Sequence, residues 1–140
     1  MKFSKCFWIM LFVSFLLPSV TALGKNSSAP LIKGDVFTIA LKTIRQKSGQ
    51  IVEVAITPKA GVHCNREYPW RIKIKESINI QFSKAQYTRE EAKVFSDYQA
   101  VFELPFNAAP EAGEASLEIK FSMCDDRQCF MKTVPVKYMP

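Results

Sequence analysis

The sequence lacks the motifs of several common enzyme classes. It holds one histidine and five glycines in 140 residues, and it has neither a glycine-rich phosphate loop nor a serine nucleophile elbow. Paired carboxylates in a catalytic motif, internal repeats and low-complexity tracts are also absent. The composition, 48% apolar and 23% charged, differs from that of disordered, collagen-like or coiled-coil chains. These absences favour one ordinary globular domain.

Only the N-terminal segment carries a long apolar run. Its first five residues contain two lysines, Cys6–Leu17 is almost wholly apolar, and Pro18–Ala22 ends in small or short residues. This order is typical of a secretory signal peptide, here over residues 1–22. A run of about a dozen apolar residues is shorter than the roughly 20 that a membrane-spanning helix needs. We therefore expect an exported, periplasmic chain that begins close to Leu23 and has no membrane span.

The net charge does not indicate a nucleic-acid partner. The formal charge is +6, part of it belongs to the signal, and the remaining positive charges are spread along the sequence. The stripe of Arg71, Lys73 and Lys75 beside Trp70 and Tyr68 resembles the basic, aromatic surface of single-stranded nucleic-acid binders. In an exported chain with strand-like alternation, we interpret it as a solvated strand face and expect no nucleic acid.

Seven segments rich in β-branched and aromatic residues alternate between apolar and polar positions, as half-buried strands do. They lie at residues 35–44, 51–57, 70–75, 78–82, 98–104, 117–123 and 134–138. Only Thr88–Phe95 favours helix, where Thr88 and Glu91 form a capping-box pattern that predicts one turn. The pattern predicts an all-β, immunoglobulin-like antiparallel β-sandwich of about seven strands over residues 34–140, after a flexible lead-in at residues 23–33.

Two cysteines lie close together near the C-terminus. The segment from Cys124 to Cys129 (C-D-D-R-Q-C) falls where the sixth strand should turn into the seventh. A loop of this length can bring two Cα atoms within the roughly 4.4–6.8 Å that a disulfide needs. Arg127 would favour a thiolate, whereas the two aspartates would oppose it. The pair is a hairpin staple, a redox-active disulfide or part of a metal site.

The segment Gly61–Trp70 contains the only histidine and a third cysteine. In an extended chain His63 and Cys64 point to opposite faces, which is poor geometry for a thiolate–imidazolium pair. We interpret Cys64 as a buried, unpaired thiol, with a role in resolving or rearranging the Cys124–Cys129 bond as the alternative. His63 and the three cysteines could form a zinc or copper set, but these residues lie in two distant segments without a C-x2-C knuckle. We expect no metal or other cofactor.

The cysteine segment resembles part of a known redox domain. The sequence from Phe121 to Phe130 (F-S-M-C-D-D-R-Q-C-F) is similar to the end of the periplasmic N-terminal (alpha) domain of DsbD, the thiol:disulfide interchange protein. That domain is an immunoglobulin-like sandwich with two redox cysteines in the hairpin before its last strand. Gly61–Trp70 is similar to a second landmark of its stand-alone secreted relatives. The resemblance implies that Cys124 and Cys129 are the redox pair.

Some residues depart from the DsbD pattern. The cysteines here are separated by four residues rather than five, and Met131 and Lys132 replace the prolines that usually follow the aromatic residue. Cys64 stands where an aliphatic residue is usual. Phe130 matches the aromatic residue after the second cysteine, and we expect Phe130 and Arg127 to modulate the pair.

The resemblance implies a function in thiol–disulfide exchange. We expect an exported module, a component of a thiol–disulfide oxidoreductase system, that exchanges electrons with a thioredoxin-fold or other periplasmic redox protein through Cys124 and Cys129. We expect it to be a monomer. The alternative is a non-catalytic β-sandwich that serves in binding or as a scaffold, in which the same disulfide is structural.

Exported protein should begin close to Leu23, because the small residues before that point suit signal peptidase. N-terminal sequencing of the exported protein measures this directly. Protein that retains Lys2 and Lys5 would contradict the predicted cleavage and the predicted compartment.

Overall fold

The computed structural model describes residues 30–140, which form two antiparallel sheets packed face to face. The predicted signal peptide and residues 23–29 of the predicted lead-in lie outside the described residues. The strands are β1 (Leu31–Lys33), β2 (Phe37–Gln46), β3 (Gly49–Pro58), β4 (His63–Cys64), β5 (Arg71–Ile78), β6 (Ile80–Phe82), β7 (Gln86–Thr88), β8 (Val94–Phe95), β9 (Ala100–Ala108), β10 (Glu114–Cys124) and β11 (Cys129–Tyr138).

Each sheet is a row of hydrogen-bonded antiparallel strands, with one short strand paired off the main row. The first has the order β1-β2-β3-β9-β6, with β8 also paired to β9. The second has the order β11-β10-β5-β7, with β4 also paired to β10. Because β11 pairs with β10 as far as Cys124, β4 must lie on the other side of β10, beyond the end of β5. The C-terminal end of β10 is therefore flanked by β11 and β4.

The predicted all-β, immunoglobulin-like antiparallel sandwich is confirmed. The seven predicted strands correspond to β2, β3, β5, β6, β9, β10 and β11. The sequence did not predict β1, β4, β7 and β8, which have only two or three residues each and are too short to show a period of two. The first of these occupies Leu31–Lys33, so the last part of the predicted flexible lead-in is a strand paired with β2.

The core lies between the two sheets and is anchored by aromatic rings near one end. Phe37 of the first sheet meets Phe121 of β10 edge-on, with ring centroids 4.9 Å apart. Trp70, just before β5, packs against both Phe121 at 5.4 Å and Phe95 of β8 at 5.0 Å. Burying each such side chain stabilises the fold by about 1.5–3 kcal/mol. These contacts fix Trp70 between the sheets.

Two local predictions are also confirmed. Residues Arg89–Glu91 form a single 3-10 turn, and the backbone N–H of Thr88 donates to a carboxylate oxygen of Glu91 at 2.9 Å, as in a capping box. The basic stripe Arg71, Lys73 and Lys75 is exposed along β5, as expected for a solvated strand face. Within residues 30–140, no helix has the length and apolar character needed to cross a bilayer.

Phe121→Ala should lower the free energy of unfolding by about 3–5 kcal/mol, because removing a fully buried ring leaves a cavity in the core. Urea unfolding followed by fluorescence or circular dichroism measures the loss. Met131→Ala is the control: this side chain, on the neighbouring strand, is 71% exposed, and its loss should change stability by less than about 0.5 kcal/mol. Equal losses in the two variants would contradict the placement of Phe121 in the core.

Candidate functional site

The disulfide expected between Cys124 and Cys129 is present. Cys124 ends β10 and Cys129 begins β11, and the two residues oppose each other directly, with Cα atoms 4.0 Å apart. Beyond them, the N–H of Asp125 donates to the carbonyl oxygen of Gln128 at 2.9 Å. The short Cα separation of the cysteines matches the more closely spaced, non-hydrogen-bonded type of antiparallel pair. The disulfide thus joins the two strands at the turn end of the hairpin, next to the connecting loop.

The two sulfurs differ in exposure. Cys124 is only 8% exposed because β10 is a central strand, flanked at this end by β11 on one side and by His63 of β4 on the other. Cys129 is exposed, since β11 is the outermost strand of its sheet. Of the two bonded residues, Cys129 is therefore the one more open to another molecule.

The loop between the cysteines is organised by one carboxylate. An oxygen of Asp125 accepts the backbone N–H groups of Arg127 and Gln128, both at 2.8 Å. These two bonds, first that from Arg127, lower the pKa of Asp125, and the charge of nearby His63 adds to the effect. The guanidinium of Arg127 makes no ion pair or hydrogen bond within residues 30–140. Its structural contribution is through its backbone.

Phe130 does not face the disulfide. It opposes Met123 in the β10–β11 ladder, and Met123 is fully buried in the core. Because successive side chains of a strand alternate between faces, Phe130 and Cys129 point to opposite sides of the sheet. Phe130 is half-buried on the face opposite the sulfurs, so any modulation of the pair by its ring would act through the strand and not by direct contact.

The structure brings the segment around His63 next to the disulfide. In the pairing of β4 with β10, His63 opposes Cys124 and Cys64 opposes Met123. His63 is exposed and Cys64 is fully buried, so the prediction that they point to opposite faces is confirmed. Cys64 thus faces the core while the disulfide faces outward. This geometry favours the buried, unpaired thiol over a resolving thiol or a metal ligand shared with the disulfide.

Cys64 is a free thiol, as expected, and it is held in its protonated form. Burial raises its pKa from 9.0 to about 11, the negative charge of Asp97 adds to the rise, and the positive charge of Arg66 opposes it. The backbone N–H of Cys64 donates to the carbonyl oxygen of Asp97 at 2.8 Å. Since the thiolate is the nucleophile, this cysteine is unreactive at neutral pH.

Asn65 is a site residue to which sequence reasoning gave no role. Its side-chain amide nitrogen lies 3.3 Å from the hydroxyl of Ser122 and 3.9 Å from the sulfur of Cys129. Its side-chain oxygen accepts the N–H of Glu67 at 3.0 Å, and its carbonyl oxygen accepts the indole N–H of Trp70 at 2.8 Å. Asn65 belongs to the landmark segment Gly61–Trp70, but no local pattern predicts its contact with Cys129, which spans 64 positions of the chain.

Comparisons with known proteins give only a distant structural similarity. No protein-family model and no curated protein matches the chain. Among solved structures, the GAE domain of GGA2p from Saccharomyces cerevisiae is similar, with a TM-score of 0.46 and 12% identity over 79% of this chain and 96% of that one. The function is therefore argued from the site itself.

Stability should fall as the pH rises from about 9 towards about 11, because unfolded Cys64 releases its proton in this window while the folded protein holds it. Urea unfolding at several pH values measures the slope. Cys64→Val is the matched variant: it should cost less than about 1.5 kcal/mol at neutral pH, since valine is apolar and similar in volume.

The comparison of the two proteins isolates the thiol from the tyrosines that also titrate at high pH. The difference in stability between wild type and Cys64→Val should shrink or reverse above pH 9. A constant difference, or a Cys64 disulfide in non-reducing peptide maps, would contradict a buried neutral thiol.

Proposed function

We propose that this protein is a thiol–disulfide interchange module in which Cys129, the exposed cysteine, forms the mixed disulfide with a partner and Cys124, the buried cysteine, is the leaving group when the bond opens. The observation that carries the proposal is the unequal exposure of the two bonded cysteines at the turn end of a hairpin. One sulfur is accessible to an incoming thiolate, and the other is held where only its own partner reaches it.

The fold has little structural need for this bond. The β10–β11 ladder already joins ten opposed residue pairs, from Ala115 with Tyr138 to Cys124 with Cys129. Closing so short a loop stabilises a protein by about 2 kcal/mol in the chain-entropy model. The aromatic core around Phe121 does not include the sulfurs. A redox role therefore accounts for the position of the bond better than a staple does.

The exchange proceeds in two balanced steps. A thiolate of a reduced partner attacks the sulfur of Cys129, a mixed disulfide forms, and Cys124 leaves as a thiolate that takes up a proton. The second thiolate of the partner then attacks the partner's own sulfur in the mixed disulfide and releases Cys129. The partner becomes oxidised and this protein becomes a dithiol, so two electrons have moved. The reverse sequence oxidises this protein.

The sequence supports a periplasmic location and a thioredoxin-fold partner for the proposed exchange. A signal peptide over residues 1–22 would export the chain to the periplasm, where disulfides persist. The resemblance of the segment Phe121 to Phe130 to the DsbD alpha domain supports a thioredoxin-fold partner, whose exposed active-site cysteines supply the attacking thiolate. The protein would then be one component of an oxidoreductase system.

The test compares the rates at which Cys129 and Cys124 react, in variants that keep only one of the two cysteines. In a Cys64→Val background, the Cys124→Ala and Cys129→Ala variants are each converted to a mixed disulfide with thionitrobenzoate, and a thioredoxin variant with a single active-site cysteine is added. Release of thionitrobenzoate, measured by absorbance, should be at least about tenfold faster from Cys129 than from Cys124, because only Cys129 is exposed. The product should be a protein–protein disulfide that dithiothreitol cleaves.

The reduction potential of the wild-type bond completes the test. Interchange requires a value in the range of redox proteins, about −120 to −270 mV, whereas a structural disulfide has a value below about −300 mV. A bond with the lower value that also resists thioredoxin would contradict the proposal. The protein would then be a binding or scaffold module with a structural disulfide.

A further inference from the structure

We propose that Asn65 stabilises the thiolate of Cys129 by donating a side-chain amide hydrogen to its sulfur. The inference deepens the proposed function, because a thiolate at Cys129 forms only when the disulfide is opened. The donor, Asn65, is distant from Cys129 in sequence. The pairing of β4 with β10 brings its amide close to the sulfur of Cys129.

The geometry gives the amide two acceptors on the outer face of the sheet. The amide nitrogen of Asn65 carries two hydrogens, and it lies 3.3 Å from the hydroxyl oxygen of Ser122 and 3.9 Å from the sulfur of Cys129. Hydrogen bonds to sulfur are longer than those to oxygen because sulfur is larger. A charged acceptor shortens and strengthens such a bond, so the contact should tighten when the sulfur becomes a thiolate.

The orientation of the amide is set by its other contacts. The side-chain oxygen of Asn65 accepts the backbone N–H of Glu67 at 3.0 Å, so the NH2 group must point the other way, towards the sulfur. The backbone is held as well: its N–H donates to the carbonyl oxygen of Ser122 at 3.0 Å, and its carbonyl oxygen accepts the indole N–H of buried Trp70 at 2.8 Å. The donor is thus in place before the thiolate forms, and little side-chain freedom is lost.

The loop beside Cys129 carries negative charges that would disfavour a thiolate, and the amide of Asn65 opposes their effect. The adjoining loop carries Asp125 and Asp126, whose negative charges oppose a thiolate. Within residues 30–140, Asn65 is the only side chain that donates a hydrogen bond to the sulfur of Cys129. When Cys129 leaves the mixed disulfide, the negative charge that develops on its sulfur lies beside this amide. The same contact stabilises the reduced form as a nucleophile.

The experiment measures the pKa of Cys129 in a protein with one thiol. In the Cys64→Val, Cys124→Ala background, thiolate absorbance and the rate of alkylation by iodoacetamide are followed against pH. Asn65→Ser keeps a hydroxyl that can accept the N–H of Glu67 but is too short to reach the sulfur. Asn65→Asp keeps the acceptor and replaces the donor by a carboxylate. Asn107→Asp, in the other sheet, is the control for the added charge.

The pKa of Cys129 should rise in Asn65→Ser and rise further in Asn65→Asp. At a pH below these values, Asn65→Asp should contain about tenfold less thiolate and be alkylated correspondingly more slowly, which equals a rise of about one pKa unit. Asn107→Asp should match the parent, and thermal unfolding should show that all variants are folded.

An unchanged pKa in Asn65→Ser would overturn the inference, since the effect of Asn65→Asp would then be that of an added charge alone. The measurement needs no redox partner, so its outcome is separate from that of the exchange assay. A raised pKa together with a failed exchange assay would contradict the proposed function and leave the amide–thiolate contact established.

Discussion

The alternation of side chains along β10 determines which face of the sheet each of the three described cysteines occupies. Met123 and Cys124 are consecutive, so they point to opposite faces of the sheet. On the inner face Met123 opposes Cys64, and on the outer face Cys124 opposes Cys129. A shift of the strand by one residue would place the disulfide in the core and core side chains in water. The ten-pair ladder with β11 and the burial of Phe121 hold the register that prevents this shift.

This register places the three described cysteines, which lie on neighbouring strands, in different environments. Cys64 faces the core, where burial raises its pKa and keeps it neutral. Cys129 lies on the outermost strand of its sheet, where water and other molecules reach its sulfur. The third, Cys124, belongs to the outer face but is covered by the strands on both sides. The environment of each cysteine is thus set by its position in the sheet rather than by spacing in the sequence.

Most of the fold follows from local patterns, whereas the site depends on distant pairing. A period of two over five or more residues reports which face of a strand is buried, and this pattern predicted all the longer strands. The opposite orientations of His63 and Cys64 followed from the same rule. The pairing of β4 with β10 joins residues about 60 positions apart and rests on two opposed pairs. No local period reports such a contact, so the position of Asn65 beside Cys129 could not be predicted.

Two supports meet at Cys129, and both involve β10. The β10–β11 ladder positions Cys129 through the backbone. The amide of Asn65 is positioned by a backbone hydrogen bond to Ser122 of β10 and by the indole N–H of Trp70, whose ring packs against Phe121. A change in the packing of Trp70 would therefore move the amide more than it moves the ladder. Under the proposed function, the stability of the Cys129 thiolate would in this way depend on the packing between the sheets.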